Sequence, residues 1–76
     1  MVITTKVTIE TKSKVDNVEL MGFRAIIDID DPENMNIYDW TIDKDACKEH
    51  RAIVRADKAA FEDYAYEVQD RIIAEK

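Results

Sequence analysis

Apolar and polar residues alternate from Val2 to Lys12. Ile3, Thr5, Val7, Ile9 and Thr11 fall on one side of an extended chain, and Val2, Thr4, Lys6, Thr8, Glu10 and Lys12 on the other. This period of two is that of a half-exposed β-strand, and threonine and β-branched side chains suit its pleated surface. The stretch SKVDN then reads as a turn. A second strand follows from about Val18 to Asp30, with Met21, Phe23, Ala25, Ile27 and Ile29 on one face and Gly22, Arg24, Ile26, Asp28 and Asp30 on the other. Gly22, the lone glycine, is read as a bulge. The connection is short, so the two strands are expected to pair as an antiparallel hairpin.

DDPEN ends the second strand, because proline cannot donate to a ladder; Asp-Pro favours a turn, or a helix start with Asp31 as N-cap. Tyr38, Trp40 and Ile42 alternate as a short third strand. From Lys44 to Ala74 the period becomes helical. Ala46, Cys47, His50, Val54, Phe61, Tyr64, Ala65, Val68 and Ile72 fall in one stripe at about 100° per residue. Asp43 precedes them as a natural N-cap, and Glu67 and Arg71 form a favourable pair four residues apart. Asp57 sits inside the apolar stripe and marks a kink or the cap of a second helix. The expected fold is α+β: a single domain over residues 1–76, in which an antiparallel β-hairpin or three-stranded sheet packs on one long C-terminal helix, with a kink near Asp57 as the variant.

With only 76 residues, such a domain has a modest core. Staples or oligomers often supplement a core of this size. Cys47 is the only cysteine, so no disulfide supplies that staple, and a lone thiol points to a reducing, cytoplasmic setting. The alternating N-terminus lacks the apolar run of a signal peptide, and no segment reaches the roughly 18 apolar residues of a membrane span.

Charge sharpens the picture. The net charge of −6 is concentrated in residues 28–47, which hold seven acidic groups against Lys44 alone. Lys48, Arg51, Arg55 and Lys58 form a basic cluster too small to outweigh the rest, so direct nucleic-acid binding is not expected.

Candidate chemistry is weak. DIDDPENMNIYD sets Asp28, Asp30 and Asp39 at calcium-loop positions, yet Pro32 and Glu33 stand where a ligand and a glycine belong, and the closing glutamate is missing. Charge that blunts a strand end explains Asp28 and Asp30 more simply. Cys47 and His50 share a helix face at this spacing, but a structural zinc site needs four ligands, and no glycine-rich segment offers an oxyanion hole. Glu62 and Asp63 are neighbours without an apolar pocket to separate their ionisation. A further ridge, Ala52, Ala59, Tyr66 and Ile73, recurs every seven residues roughly opposite the main helical stripe.

These observations point to a small acidic, non-enzymatic, cytoplasmic protein-interaction module without a metal or other cofactor. It would act by surface recognition of a protein partner, one that is basic or itself nucleic-acid-binding, or by self-association as a homo-oligomer. The residues expected to touch the partner are Asp28, Asp30, Asp31, Glu33, Tyr38, Trp40, Tyr66 and Ile73. The alternative is an inhibitor of phage or mobile-element type that mimics nucleic acid and presents carboxylates to a nuclease or other DNA-binding enzyme.

Overall fold

A computed structural model describes residues 3–75. Three strands, β1 (Lys6–Val15), β2 (Val18–Asp28) and β3 (Met35–Thr41), form an antiparallel sheet in the order β1-β2-β3; α1 (Lys44–Glu49) and α2 (Arg51–Ala74) follow. The layout is α+β, as the hydrophobic pattern predicts.

The hairpin turn is tighter and later than SKVDN suggests. Asp16 and Asn17 both take positive φ, 49° and 67°. Such a pair is the signature of a two-residue turn whose twist matches that of the flanking strands. β1 therefore runs on to Val15, which pairs with Val18. Ile3 to Thr5 lie outside the strand, although the Thr5 carbonyl still accepts from the Ile29 amide at 2.9 Å. Val2 lies outside the described residues.

The bulge falls at Leu20, not at Gly22. Ser13 pairs with Met21 and Lys14 with Glu19, which leaves Leu20 as the extra residue of β2. The side chain of Leu20 is fully buried. Its carbonyl faces β3, where it accepts from the amides of Ile42 (3.0 Å), the next residue opposite it in the β2–β3 register, and Asp43 (3.1 Å), and from the Cys47 thiol (2.9 Å). The Leu20 carbonyl thus ties the start of α1 to the sheet, and Asp43 caps that helix by accepting from the Ala46 amide at 3.0 Å.

The core is narrow. Phe23 and Ala25 from β2 meet Phe61 and Ala65 from α2, with Ile9, Met21, Met35 and Ile37 packed around them. The rings of Phe23 and Phe61 stack with centroids 5.5 Å apart and planes 23° from parallel. Asp57, the interruption in the apolar stripe, is half-buried and accepts a short hydrogen bond from the hydroxyl of Ser13, which is buried in β1. At the far end, the Gln69 side-chain amide donates to the Pro32 carbonyl at 2.9 Å and ties α2 to the β2–β3 turn.

These anchors explain the helix break. It lies at His50 (φ −112°, ψ 39°), not near Asp57. Cys47 and Asp43 hold α1 to Leu20, whereas Asp57 and Phe61 hold α2 to Ser13 and Phe23, and one straight helix does not satisfy both. The fold is slender, with extents of 46 × 23 × 18 Å and a radius of gyration of 14.5 Å, against about 11 Å for a compact domain of this length. No helix among the described residues is long and apolar enough to cross a membrane.

Two stability predictions follow from this packing. Phe61→Ala is expected to cost about 3–5 kcal/mol, most of what so small a core supplies, and urea unfolding should show a largely unfolded chain at room temperature. Ser13→Ala and Asp57→Asn are each expected to cost about 1–3 kcal/mol. Their effects should be strongly non-additive in a double-mutant cycle, with a coupling of roughly 1 kcal/mol or more; additive losses would show that the two groups do not act as a pair.

Candidate functional site

Both helices cover one face of the sheet and leave the other open. On the open face, alternation brings out Thr8, Glu10 and Lys12 of β1, Gly22, Arg24, Ile26 and Asp28 of β2, and Asn36, Tyr38 and Trp40 of β3. Gly22 stands opposite Trp40, and the indole lies directly over it: a Cβ added at Gly22 would come within 2.2 Å of the ring. The glycine therefore serves close side-chain approach, the other common meaning of glycine in a strand.

Arg24 lies over the indole ring, its guanidinium carbon 5.6 Å from the ring centroid. The same guanidinium bonds the Glu10 carboxylate, Nε at 3.2 Å and Nη2 at 2.9 Å. Glu10, Arg24 and Trp40 thus form a row across all three strands. A cation–π contact at an exposed site is worth about 0.5–1 kcal/mol, enough to narrow the indole's rotamers. Tyr38, opposite Arg24, is half-exposed at 51%.

The acidic segment lies elsewhere. β2 stops at Asp28, so Asp30 does not continue the strand face as its spacing suggests. Instead the Asp28 carboxylate accepts from the Asp30 amide at 3.0 Å, a local turn of the kind aspartate favours. Asp31 begins a β-turn closed by Asn34 N–H to Asp31 O at 2.9 Å, with Pro32 buried in its second position and Glu33 exposed. A helix start capped by Asp31 is not formed. Asp28 is six residues along β2 from Gly22, roughly 20 Å. The acidic turn and the Trp40 site are thus separated along the sheet.

Tyr66 and Ile73 are 51% and 41% exposed on α2, and Ala52 and Ala59 are exposed with them. The ridge does face away from the sheet. The eight residues picked out in the sequence therefore fall in three places: Tyr38 and Trp40 on the open sheet face, Asp28, Asp30, Asp31 and Glu33 at the β2–β3 end, and Tyr66 and Ile73 on the back of α2. The structure brings together only the first pair and the acidic group, each within itself.

Of the Cys47 and His50 side chains, the thiol is used in a local bond. The Cys47 thiol donates to Leu20, and the His50 side chain makes no capping bond at the helix junction. Among the described residues no three His, Cys, Asp or Glu side chains converge as metal ligands.

One feature of the helices escapes a search for apolar stripes. Lys44, Lys48, Arg51 and Arg55 line a groove of 290 Å³ floored by Thr41, Cys47 and Val54, with no carboxylate in its lining. The ion pairs among the described residues are Lys12–Glu19, Arg24–Glu10, Lys58–Asp39 and Arg71–Glu67, so none of the four cations is paired. Lys58, grouped with them by sequence, instead bonds Asp39 at 3.2 Å. The signal was the spacing of four, three and four residues, which sets cations along one side of successive helical turns.

The close approach at Gly22 predicts a spectroscopic effect. Trp40 is the only tryptophan. Gly22→Ala should displace the indole, change its fluorescence maximum, and cost roughly 1–3 kcal/mol by overpacking. An unchanged spectrum with unchanged stability would mean that the ring does not rest on Gly22.

Compared with known protein families, curated proteins and solved structures, the chain matches none of them.

Proposed function

We propose that this chain is a non-enzymatic protein-interaction module whose recognition surface is the open face of the sheet. The observation that carries the reading is Trp40, fixed between Gly22 and Arg24, beside a half-exposed Tyr38 on a face that no other element among the described residues covers. Tryptophan, tyrosine and arginine are the residues in which interface energy is most often concentrated. A side chain already held in one rotamer loses less entropy on binding. The row from Glu10 through Arg24 adds oriented polar groups around the aromatics, as the rim of an interface requires.

The acidic turn supplies long-range attraction. Asp28, Asp31 and Glu33 stand at the end of the same sheet in a chain of net charge −6, which favours a basic partner, including one that itself binds nucleic acid. Attraction of this kind raises the association rate more than the final affinity and weakens with salt. The ridge of Tyr66 and Ile73 on the opposite side is a second apolar surface, suited to self-association.

A photo-crosslinking residue introduced at Tyr38 in the native host, with the same residue at Ile73 for comparison, tests the reading. The expected result is a discrete adduct from position 38. Tyr38→Ala should then weaken binding of the captured protein by roughly tenfold or more without changing the far-ultraviolet circular dichroism. Replacing Asp28, Asp31 and Glu33 by their amides should slow association at low salt and matter little at high salt. Adducts from position 73 alone, with a concentration-dependent sedimentation coefficient abolished by Tyr66→Glu with Ile73→Glu, would make the ridge the interface and remove the sheet face from it.

A further inference from the structure

We infer that the groove between Lys44, Lys48, Arg51 and Arg55 is a binding site for a compact polyanion carrying two adjacent phosphate groups. The inference stands on the helices alone and is independent of the sheet-face reading.

The cations are arranged against the interest of the helices that carry them. Lys44 and Lys48 are like charges four residues apart in α1, and Arg51 and Arg55 are the same in α2. Such pairs repel. The chain has 17 acidic residues against 11 lysines and arginines, so partners for cations are abundant. Lys12, Arg24, Lys58 and Arg71 each have one, yet these four converge on one groove without any among the described residues. An anion in the groove relieves the repulsion that the folded chain otherwise carries.

The shape and surroundings narrow the ligand. A singly charged anion would leave most of the four cations uncompensated, so two phosphates suit the site better than one. Guanidinium groups match phosphate oxygens with paired, charge-assisted hydrogen bonds, and lysines add mobile point charges. An extended nucleic acid is disfavoured, because Asp43, Asp45 and Glu49 line a second depression beside the same short helix and the whole chain is negative. A compact ligand avoids that field. The groove floor, Cys47 and Val54, offers apolar contact for a remainder attached to the phosphates.

The test is titration of the isotope-labelled full chain with pyrophosphate, and separately with inorganic phosphate, at constant ionic strength, followed through amide and arginine side-chain resonances. Saturable shifts confined to residues 41–55 are expected, with pyrophosphate binding roughly tenfold or more tighter than phosphate. Arg51→Gln with Arg55→Gln, and independently Lys44→Gln with Lys48→Gln, should each weaken pyrophosphate binding by about tenfold or more. Lys6→Gln with Lys14→Gln, on the exposed side of β1, should leave it unchanged, and circular dichroism checks that each variant is folded. Linear, unsaturated shifts, or equal loss in the β1 variant, would reduce the effect to general charge screening and overturn the site. If the same resonances move with protein concentration before any pyrophosphate is added, an acidic segment of a second copy fills the groove and the phosphate assignment fails.

Discussion

The structure depends on how α2 is held to a sheet that offers it little area. Phe61 stacks on Phe23, Ala65 and Ala25 permit close approach, and the Ser13 hydroxyl meets the Asp57 carboxylate one helical turn before Phe61. An acidic residue in an apolar stripe is normally a defect, since a half-buried carboxylate without a donor costs more than an exposed one. Ser13 removes that cost and adds direction. The aromatic stack fixes the distance between helix and sheet, and the hydrogen bond fixes where along β1 the helix lies.

Leu20 holds the other helix. Its carbonyl, opposite Ile42 in the β2–β3 register, collects three donors, from Ile42, Asp43 and Cys47. α1 is thereby committed to one position before α2 begins, and α2 is committed to another by Asp57 and Phe61. The chain reconciles the two at His50, where the backbone leaves helical geometry for one residue. The break also turns the cation-bearing side of both helices around one groove.

So narrow a core leaves much of the surface available for recognition. Both helices lie on the same face of the three-stranded sheet, so Tyr38 and Trp40 remain on the open one. The helix is long relative to the core beneath it, so Tyr66 and Ile73 remain on its back. Charge is separated along the same slender body, with the acidic turn at the end of β2 and the unpaired cations near its start.

Much of the architecture is determined by the sequence. Alternation in Val7 to Thr11 and Met21 to Ile27 assigns the inward faces correctly, because a period of two leaves no other choice once one face is buried. The helical stripe and Asp43 as N-cap are local properties, and so is the outward direction of Tyr66 and Ile73. Pairings between distant residues are decided only by tertiary structure. That Asp57 is satisfied by Ser13, 44 positions away, cannot be read from the neighbours of either. That Gly22 makes room for Trp40, and that the bulge sits at Leu20, depend on the register between strands. The helix break at His50 has no glycine or proline to announce it; it falls between the contacts of α1 with Leu20 and those of α2 with Ser13 and Phe23. The cationic groove is intermediate: its spacing is in the sequence, but only the folded chain shows that Lys58 leaves to meet Asp39 and that Lys44 takes part. Periodicity reports which side of an element faces inward; what that side meets is settled by contacts between segments that the sequence keeps apart.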